Sequence, residues 1–529
     1  MSSEKTQVAR AAGIVGSATL LSRLMGYARD MVMSWAFGTG LAADAFYVAY
    51  RIPNLLRELL AEGSMSAAFI PVFTETLTKE SRESARHLAN AVFARLLVIL
   101  AVLTLLGIIF APFVVKAIAW GFKGDLDKYA TTVTLTRIMF PYLLFIGLAA
   151  LAMGMLNSLR SFLAPALSPV MLNIMTIASI LLSIWFLPNP IHGVAAGVVL
   201  GGLFQFLIQV PGLRKQGMMM RPEFQPSHPG VARIGKLALP IMLSSSVTQV
   251  NIFVSTILAS FLATGSITYL FYGMRFIHFP LGIFGIAIAT AVLPTMSAQA
   301  ARKETEAFRE TLSLGLRLVF FIMFPAMAGL IALRVPIVNL LLEHGQFDRI
   351  STAGTAAAIL YYSIGLWAFA GVRIVAQAFY SLQDTKTPVK IAALAMVTNI
   401  LLSVILMGPL AHGGLALATS LAAMLNIGLL TLQLRKKIGR MDGRRILFSL
   451  IRIIPASAAM GAIGWWISRN PVWDARGNTL YKSELLVGTM AVSVLFYVLA
   501  MWIVRSEELK FLWGMVKRKK VARDKGQGV

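Results

Sequence analysis

Residues 96–115 read LLVILAVLTLLGIIFAPFVV, an unbroken run without a charged side chain. About 20 apolar residues let an α-helix cross the hydrocarbon of a bilayer, where no water satisfies the backbone. Working outward from that run, the 529-residue chain parses into fourteen such segments. They lie at 11–36, 42–72, 89–118, 131–156, 163–187, 191–213, 237–262, 267–297, 311–342, 351–380, 388–408, 412–435, 446–468 and 484–505. Only 13% of the residues are charged and 57% are hydrophobic, with mean hydropathy +0.74, whereas soluble domains carry about 25% charged residues. The expected fold is an all-α integral membrane protein, and a large soluble helical protein is excluded. Pro53 and Pro280 fall inside two of the segments and should kink or unwind them.

The opening MSSEKTQVAR and the apolar run after it have the outline of a signal peptide. Ser22-Arg23 and Arg29-Asp30 interrupt that run, and no small-residue cleavage site follows, so a retained first helix is expected. Cysteine is absent, which excludes disulfides, a thiol nucleophile and thiolate metal sites.

The net charge of +25 would point to nucleic acid in a soluble chain. Here the basic residues gather in every second loop, and no nucleic acid partner is expected. One side holds Lys79, Arg82, Arg86, Arg214, Lys215, Arg221, Arg233, Lys236, Arg302, Lys303, Arg309, Lys386 and Lys390. The same side takes the cluster Arg435 to Arg445 and the tail from Lys517 to Lys525, whereas the other has Lys123, Lys128, Arg349, Arg469, Arg476 and Lys482. Short loops rich in Lys and Arg stay in the cytoplasm. An even number of spans follows, with both termini cytoplasmic, in a bacterial cytoplasmic (inner) membrane.

The chain also repeats itself. Pro71 corresponds to Pro294, and Ser158-Leu159 with Pro165 to Ser381-Leu382 with Pro388, all offset by 223. His192-Gly193 through Leu213-Arg214-Lys215 returns as His412-Gly413 through Leu434-Arg435-Lys436, offset by 220 or 221. The expected organisation is an N-terminal lobe at 1–215, a cytoplasmic linker at 216–236 and a C-terminal lobe at 237–437. Two further helices at 446–505 and a basic tail at 506–529 follow. Two six-helix pseudo-symmetric lobes of the same topology mark alternating-access transporters, with the substrate between the halves. A channel or a scaffold is the less favoured outcome.

A charge in mid-membrane costs about 2.5–3.5 kcal/mol on insertion scales and normally faces a cavity or a partner. The first segment carries Ser22, Arg23, Arg29 and Asp30, whose seven-residue spacings form one polar stripe. The second carries Asp44, Arg51, Asn54, Arg57, Glu58 and Glu62, and Arg275 precedes the His278-Phe279-Pro280 bend. Arg29-Asp30 could simply snorkel, and Arg51 or Arg57 could pair with Glu58 or Glu62 for structure alone. Arg23, Arg57 and Arg275 come from both repeat halves with few acidic neighbours in sequence, which calls for an anionic occupant. Arginine suits phosphate oxygens through its planar fork. Arg95, Arg137, Arg317, Arg334 and Arg452 lie nearer segment ends, where snorkelling is the expectation. The histidines lack ligand spacing. With no catalytic carboxylate pair, phosphate loop or nucleophile elbow, an enzyme is not expected.

These residues also resemble a known family. Ser22-Arg23-x-x-Gly26-x-x-Arg29-Asp30, Phe37-Gly38, Asp44-Ala45-Phe46 and Arg51-x-Pro53-Asn54-Leu55-Leu56-Arg57 resemble the MurJ (MviN) lipid II flippases. So do Ala61-Glu62-Gly63-x-x-Ser66-x-Ala68-Phe69-x-Pro71, Phe261-Leu262 with Gly265-Ser266, and Tyr272-x-x-Arg275. Phe279-Pro280-x-Gly282 and Tyr380-Ser381-x-Gln383-Asp384-x-Lys386-Thr387-Pro388 continue the likeness, which is dense over about residues 10–440. The family belongs to the multidrug/oligosaccharidyl-lipid/polysaccharide exporter superfamily. The resemblance implies movement of lipid II, an undecaprenyl-diphosphate-linked disaccharide peptide, from the inner to the outer leaflet. It implies substrate binding by Arg23, Arg29, Arg57 and Arg275, with Ser22 beside them. Asp30, Asp44, Glu62 and Arg51 become gating or salt-bridge residues, and the last two helices a groove for the polyprenyl tail. Positions flanking the Arg275 equivalent are acidic in some relatives and are Met274 and His278 here. Membrane lipids and cell-wall synthesis proteins are the implied partners. No cofactor is expected, and coupling to a monovalent cation or a proton is left open. The alternatives are a flippase for another polyprenyl-diphosphate-linked saccharide, a cation-coupled multidrug exporter, and a scaffold of cell-wall assembly.

Overall fold

The computed structural model describes residues 2–59, 64–224, 228–475 and 477–514. Among them the chain is helical and has no strand. The first half contains α1 (Ser2–Phe37), α2 (Leu41–Arg57), α3 (Ser64–Lys79), α4 (Arg82–Ile109) and α5 (Ala111–Ile118). It continues with α6 (Leu126–Met139), α7 (Tyr142–Ser158), α8 (Leu163–Phe186), α9 (Pro190–Leu207) and α10 (Val210–Lys215). The second half holds α11 (Pro229–Ser260), α12 (Ser266–Pro280), α13 (Ile286–Ala301), α14 (Thr305–Leu342), α15 (Arg349–Ile364) and α16 (Leu366–Ser381). Then come α17 (Lys386–Ile438), α18 (Gly443–Ile467) and α19 (Thr479–Ile503).

Among the described residues, each of the fourteen apolar segments falls mainly on helix. Nine spans, or ten with the bent pair α15–α16, are long and apolar enough by themselves among the described residues. The others have local reasons for departing from a plain span. Charges interrupt α1, and the second segment is divided between α2 and α3. Non-helical Ala411 (φ 48°, ψ −131°) turns α17 into two helices at the expected boundary. Pro280 ends α12, and the next five residues, Leu281–Gly285, form a π turn, as a proline that removes one backbone donor would require.

The repeat is visible in the backbone as well as in the letters. Residues 58–59 are π-helical, and the π turn of the second half begins 223 positions later, at Leu281. Arg160 (φ 58°) and Gln383 (φ 59°) are left-handed at the same offset. Asp384, next to Gln383, accepts from Thr387 N (3.0 Å) and Thr387 Oγ1 (2.7 Å) at the start of α17. A hydrogen bond from Lys437 holds this carboxyl well below the usual carboxylate range.

Two compact units emerge. The first comprises 1–268 and 344–348. In it α3 packs on α4, α7 and α11, and α1 packs on α8. Its core gathers Phe69, Phe73, Leu88, Leu151, Leu156 and Leu213. The α8–α9 pair is the tightest, because Gly193, Gly197 and Gly201 repeat every fourth residue on α9. A Cβ on Gly197 would lie 2.4 Å from Ser179 Cβ, and one on Gly201 2.6 Å from Leu172 Cδ1. Small residues at that spacing let helix backbones approach closely in lipid, where burial supplies no drive.

The unit boundary, 268/269, is not in the expected linker at 216–236. By sequence α11 opens the second lobe, yet it packs on α3, α4 and α5. Gly121 explains part of this: its N–H reaches Ser260 Oγ at 3.0 Å, and a Cβ there would stand 2.3 Å from Ser260 O.

The second unit comprises 269–343 and 349–529. Helix α14 is its axis, contacting α13, α15, α16, α18 and α19. Here two expectations are corrected. Arg317 does not snorkel: it is 8% exposed, and its Nη1 lies 2.8 Å from Glu507 Oε2 and 2.9 Å from Glu508 Oε1. The stretch after α19 is accordingly not all free tail, since Ser506 and Glu508 are buried and Ser449 Oγ donates to Glu508 at 3.0 Å.

Candidate functional site

The charges of the first two spans are all in the first unit. On α1, Arg29 closes over its neighbour Asp30, with Nη2 at 2.7 Å and Nε at 3.1 Å from Oδ1. Asp30 is 3% exposed while Arg23, one stripe position earlier, is exposed and has no ion pair among the described residues. Ser22 is half-buried, and its carbonyl accepts from Asn173 Nδ2 on α8 at 3.3 Å. At the end of α1, Trp35 O accepts from Gln346 N at 2.9 Å, beside Gly38. Gly38 has φ +55°, and a Cβ there would lie 2.4 Å from Gln346 O, so only glycine suits both the turn and the approach.

Helix α2 is mostly apolar and carries one polar stripe, Asp44, Arg51, Asn54 and Arg57, at seven- and three-residue spacings. Asp44 is 1% exposed and receives four donors. They are Lys128 Nζ (2.8 Å), Gly265 N (2.8 Å), Thr268 N (3.0 Å) and Thr268 Oγ1 (2.7 Å). Lys128, placed by sequence in an outer loop, is itself 4% exposed. A buried ion pair is tolerable when the remaining lone pairs are also satisfied, and here they are. Arg51 reaches Thr256 Oγ1 and Ile252 O on α11. Lower on the helix, Arg57 Nε donates to Asn54 Oδ1 at 3.0 Å, and Asn54 Nδ2 to Glu58 Oε1 at 3.2 Å. Gln249 of α11 donates to Glu58 Oε2, and Arg57 Nη2 lies 3.9 Å from Glu58 Oε1. Glu62 lies outside the described residues.

Within the first unit, Arg51 and Glu58 meet α11, Arg57 meets Asn54 and Glu58, Asp44 meets α6 and residues 265–268, and Arg29 pairs with Asp30. Arg275 belongs to the second unit, half-buried on α12 and six residues before the π turn. Sequence reading missed Lys128, Gln249, Thr256 and Thr268. Only the Gly265-Ser266 pair hinted at the turn that receives Asp44. Among the described residues no three His, Asp or Glu side chains are placed to hold a metal. What the α1–α2 surface offers chemically is cationic hydrogen-bond donors in an apolar setting.

Comparison with known proteins gives one answer. The family model described as "Lipid II flippase MurJ" matches residues 33–476. The "Probable lipid II flippase MurJ" of Vibrio cholerae is 38% identical over 511 residues, covering 94% of this chain and 96% of that protein. The "Lipid II flippase MurJ" of Burkholderia cenocepacia is 35% identical over 499 residues, 93% of this chain and 97% of its own. Among solved structures, "Lipid II flippase MurJ, inward closed conformation" superposes with TM-score 0.77 at 26% identity, covering 93% of this chain and 99% of that one. An inward-facing multidrug resistance MATE family transporter of the MOP superfamily gives TM-score 0.67 at 14% identity over 82% of this chain and 99% of its own, a likeness of fold alone.

Proposed function

The chain belongs to the lipid II flippase MurJ family, and from that premise we propose that it carries lipid II from the inner to the outer leaflet of a bacterial cytoplasmic membrane by alternating access. It is a transporter and not an enzyme. The observation that carries this reading is the gathering of arginines on two neighbouring segments. Arg23 and Arg29 lie on α1 and Arg51 and Arg57 on α2, within the residues matched by the family model or just before them. Guanidinium groups in an apolar setting suit an anion, and a diphosphate offers their forks two phosphoryl groups. Arg23, Arg57 and Arg275 hold the head group, while the polyprenyl tail runs along α18 and α19. Asp44 fastens the end away from the basic loops and must release residues 264–268 for the head group to leave. Inside-negative potential favours outward movement of an anion, by about 2.3 kcal/mol per charge per 100 mV. Both termini face the cytoplasm.

The test is lipid II translocation in cells depleted of their own flippase and supplied with this chain. Arg23→Ala, Arg57→Ala and Arg275→Ala should each abolish complementation while remaining in the membrane. Full activity of all three would defeat the cationic-site reading. Reporter fusions at 225, 440 and 529 should read cytoplasmic and one at 475 periplasmic. Cationic dyes should not compete with lipid II, since like charge in a desolvated site is costly; tight dye binding without lipid II binding would select the drug-exporter reading.

A further inference from the structure

A second anion-selective feature lies in the second unit, at the bundle end away from the basic loops. The end of α14 and the end of α18 enclose a pocket of about 390 Å³. Arg334 and Arg469 line it, together with Trp465, Asn470, Trp473 and Asp474. Three of its polar side chains, Arg334, Arg469 and Trp473, can only donate, and Asn470 Oδ1 is already taken by Val472 N. Arg334 Nη1 touches only the carbonyl of Ile331 in its own helix, and Arg469 stacks on Trp465 with Cζ 3.7 Å from the ring centroid. Neither has a carboxylate partner among the described residues. The one acid in the lining, Asp474, is engaged by Arg349 from outside the pocket. Trp473 is 6% exposed, and its Nε1–H has no acceptor among the described residues. A buried donor left unmade costs about 1–3 kcal/mol, so an acceptor arriving here recovers what the protein forgoes.

The wall is rigid. Trp473 packs on Leu333 and Leu486, and Asn339 Nδ2 holds its carbonyl at 3.1 Å. Lys482 Nζ in turn fixes Asn339 Oδ1 (2.8 Å) and Ala475 O (2.7 Å). Lys482 was read from sequence as a loop charge, yet it is 5% exposed. Its role is to hold the loop after α18. Exposed Trp465 (46%) and Trp466 (72%) next to the pocket are the residues that mark the headgroup level of a bilayer.

We propose that this pocket binds the phosphate of an anionic glycerophospholipid, with Arg334, Arg469 and the Trp473 indole N–H as donors. It is a lipid site distinct from the arginines of α1, α2 and α12, and it stands whatever the chain transports. Its level at the aromatic belt selects a lipid headgroup over a soluble anion. Two arginines suit the phosphodiester, and a zwitterionic headgroup would bring a cation against them.

The experiment is native mass spectrometry of the full chain released from nanodiscs of equal phosphatidylglycerol and phosphatidylcholine. Wild type should retain one more phosphatidylglycerol than Arg334→Gln/Arg469→Gln. Arg469→Gln alone should weaken retention about tenfold, the worth of one charge-assisted hydrogen bond. Arg469 is exposed, so that single variant folds even if the double variant does not. Trp473→Phe, which keeps the ring and removes the N–H, should also weaken retention, whereas Arg349→Gln, which breaks the neighbouring ion pair, should affect it less than Arg469→Gln. Millimolar inorganic pyrophosphate should leave the retained lipid in place. Equal retention by wild type and Arg469→Gln overturns the proposal, as does binding of pyrophosphate without lipid. Lipid II complementation by Arg469→Gln should persist, which separates this site from the transport reading.

Discussion

Helix α2 carries a carboxylate at each end, and the two ends follow opposite rules. Asp44 is 1% exposed and saturated by donors from α6 and from the turn and first residues that open α12. Glu58, fourteen residues on, has a side chain 37% exposed and shares a loose chain of contacts with Asn54, Arg57 and Gln249. The helix is the same and the charge type is the same. Burial decides the difference: a buried carboxylate must be completely paired, so its surroundings are fixed, whereas a half-exposed one can exchange partners at little cost. The first end is therefore a latch that holds until all its donors let go together, and the second is available for a ligand.

The contrast breaks first at Asp44. Asp44→Ala leaves Lys128 buried without its counter-ion, and removing one member of a buried pair costs about 3–5 kcal/mol. The thermal midpoint in detergent should fall accordingly. Asp44→Ala/Lys128→Met should recover only the part due to the uncompensated lysine, because Gly265 N and Thr268 N still lose their acceptor. A single variant as stable as wild type would mean that the four donors do not hold Asp44 as described.

A smaller loss is expected at the α8–α9 seam. Gly197→Leu forces a side chain where even Cβ would stand 2.4 Å from Ser179 Cβ, and overpacking of this kind costs about 1–3 kcal/mol. Gly428, with nothing within 4 Å of an added Cβ, should accept alanine with little change in midpoint. Equal midpoints for Gly197→Leu and Gly428→Ala would show that the glycine seam is not a close contact.

These two sites mark how far the sequence could be read. Hydropathy located the nine or ten long apolar spans of the described residues, because membrane insertion depends on local composition. The repeat was legible as well, down to Ser158-Leu159 and Ser381-Leu382, which precede the left-handed pair Arg160 and Gln383. The partners were not. Lys128, Arg317 and Lys482 lie near segment ends, where a long basic side chain normally reaches water. Whether it turns inward depends on a carboxylate or amide arriving from 84, 190 or 143 residues away. Nothing in the local pattern carries that information. The placement of α11 with the first unit was hidden for the same reason: its sequence reports its period, and Gly121 and Ser260 decide where it packs.

The smallest stability effect belongs to Arg57, and there the comparison becomes sharpest. Its Nε bonds Asn54 Oδ1 and its Nη2 lies 3.9 Å from Glu58 Oε1, and Glu58 keeps Gln249 when Arg57 is removed. Arg57→Ala should therefore cost less in thermal midpoint than Asp44→Ala or Gly197→Leu. If Arg57 held structure, loss of function would have to track loss of stability, as it should for Asp44→Ala. If Arg57 meets a diphosphate, complementation should fail in a protein that melts normally. Arg57→Lys refines the point, since lysine keeps the charge and loses the bidentate fork. It should keep the wild-type midpoint and restore transport only in part. Lipid II affinity measured beside the midpoint gives both axes in one preparation, and full transport by Arg57→Ala at normal stability would remove this residue from recognition.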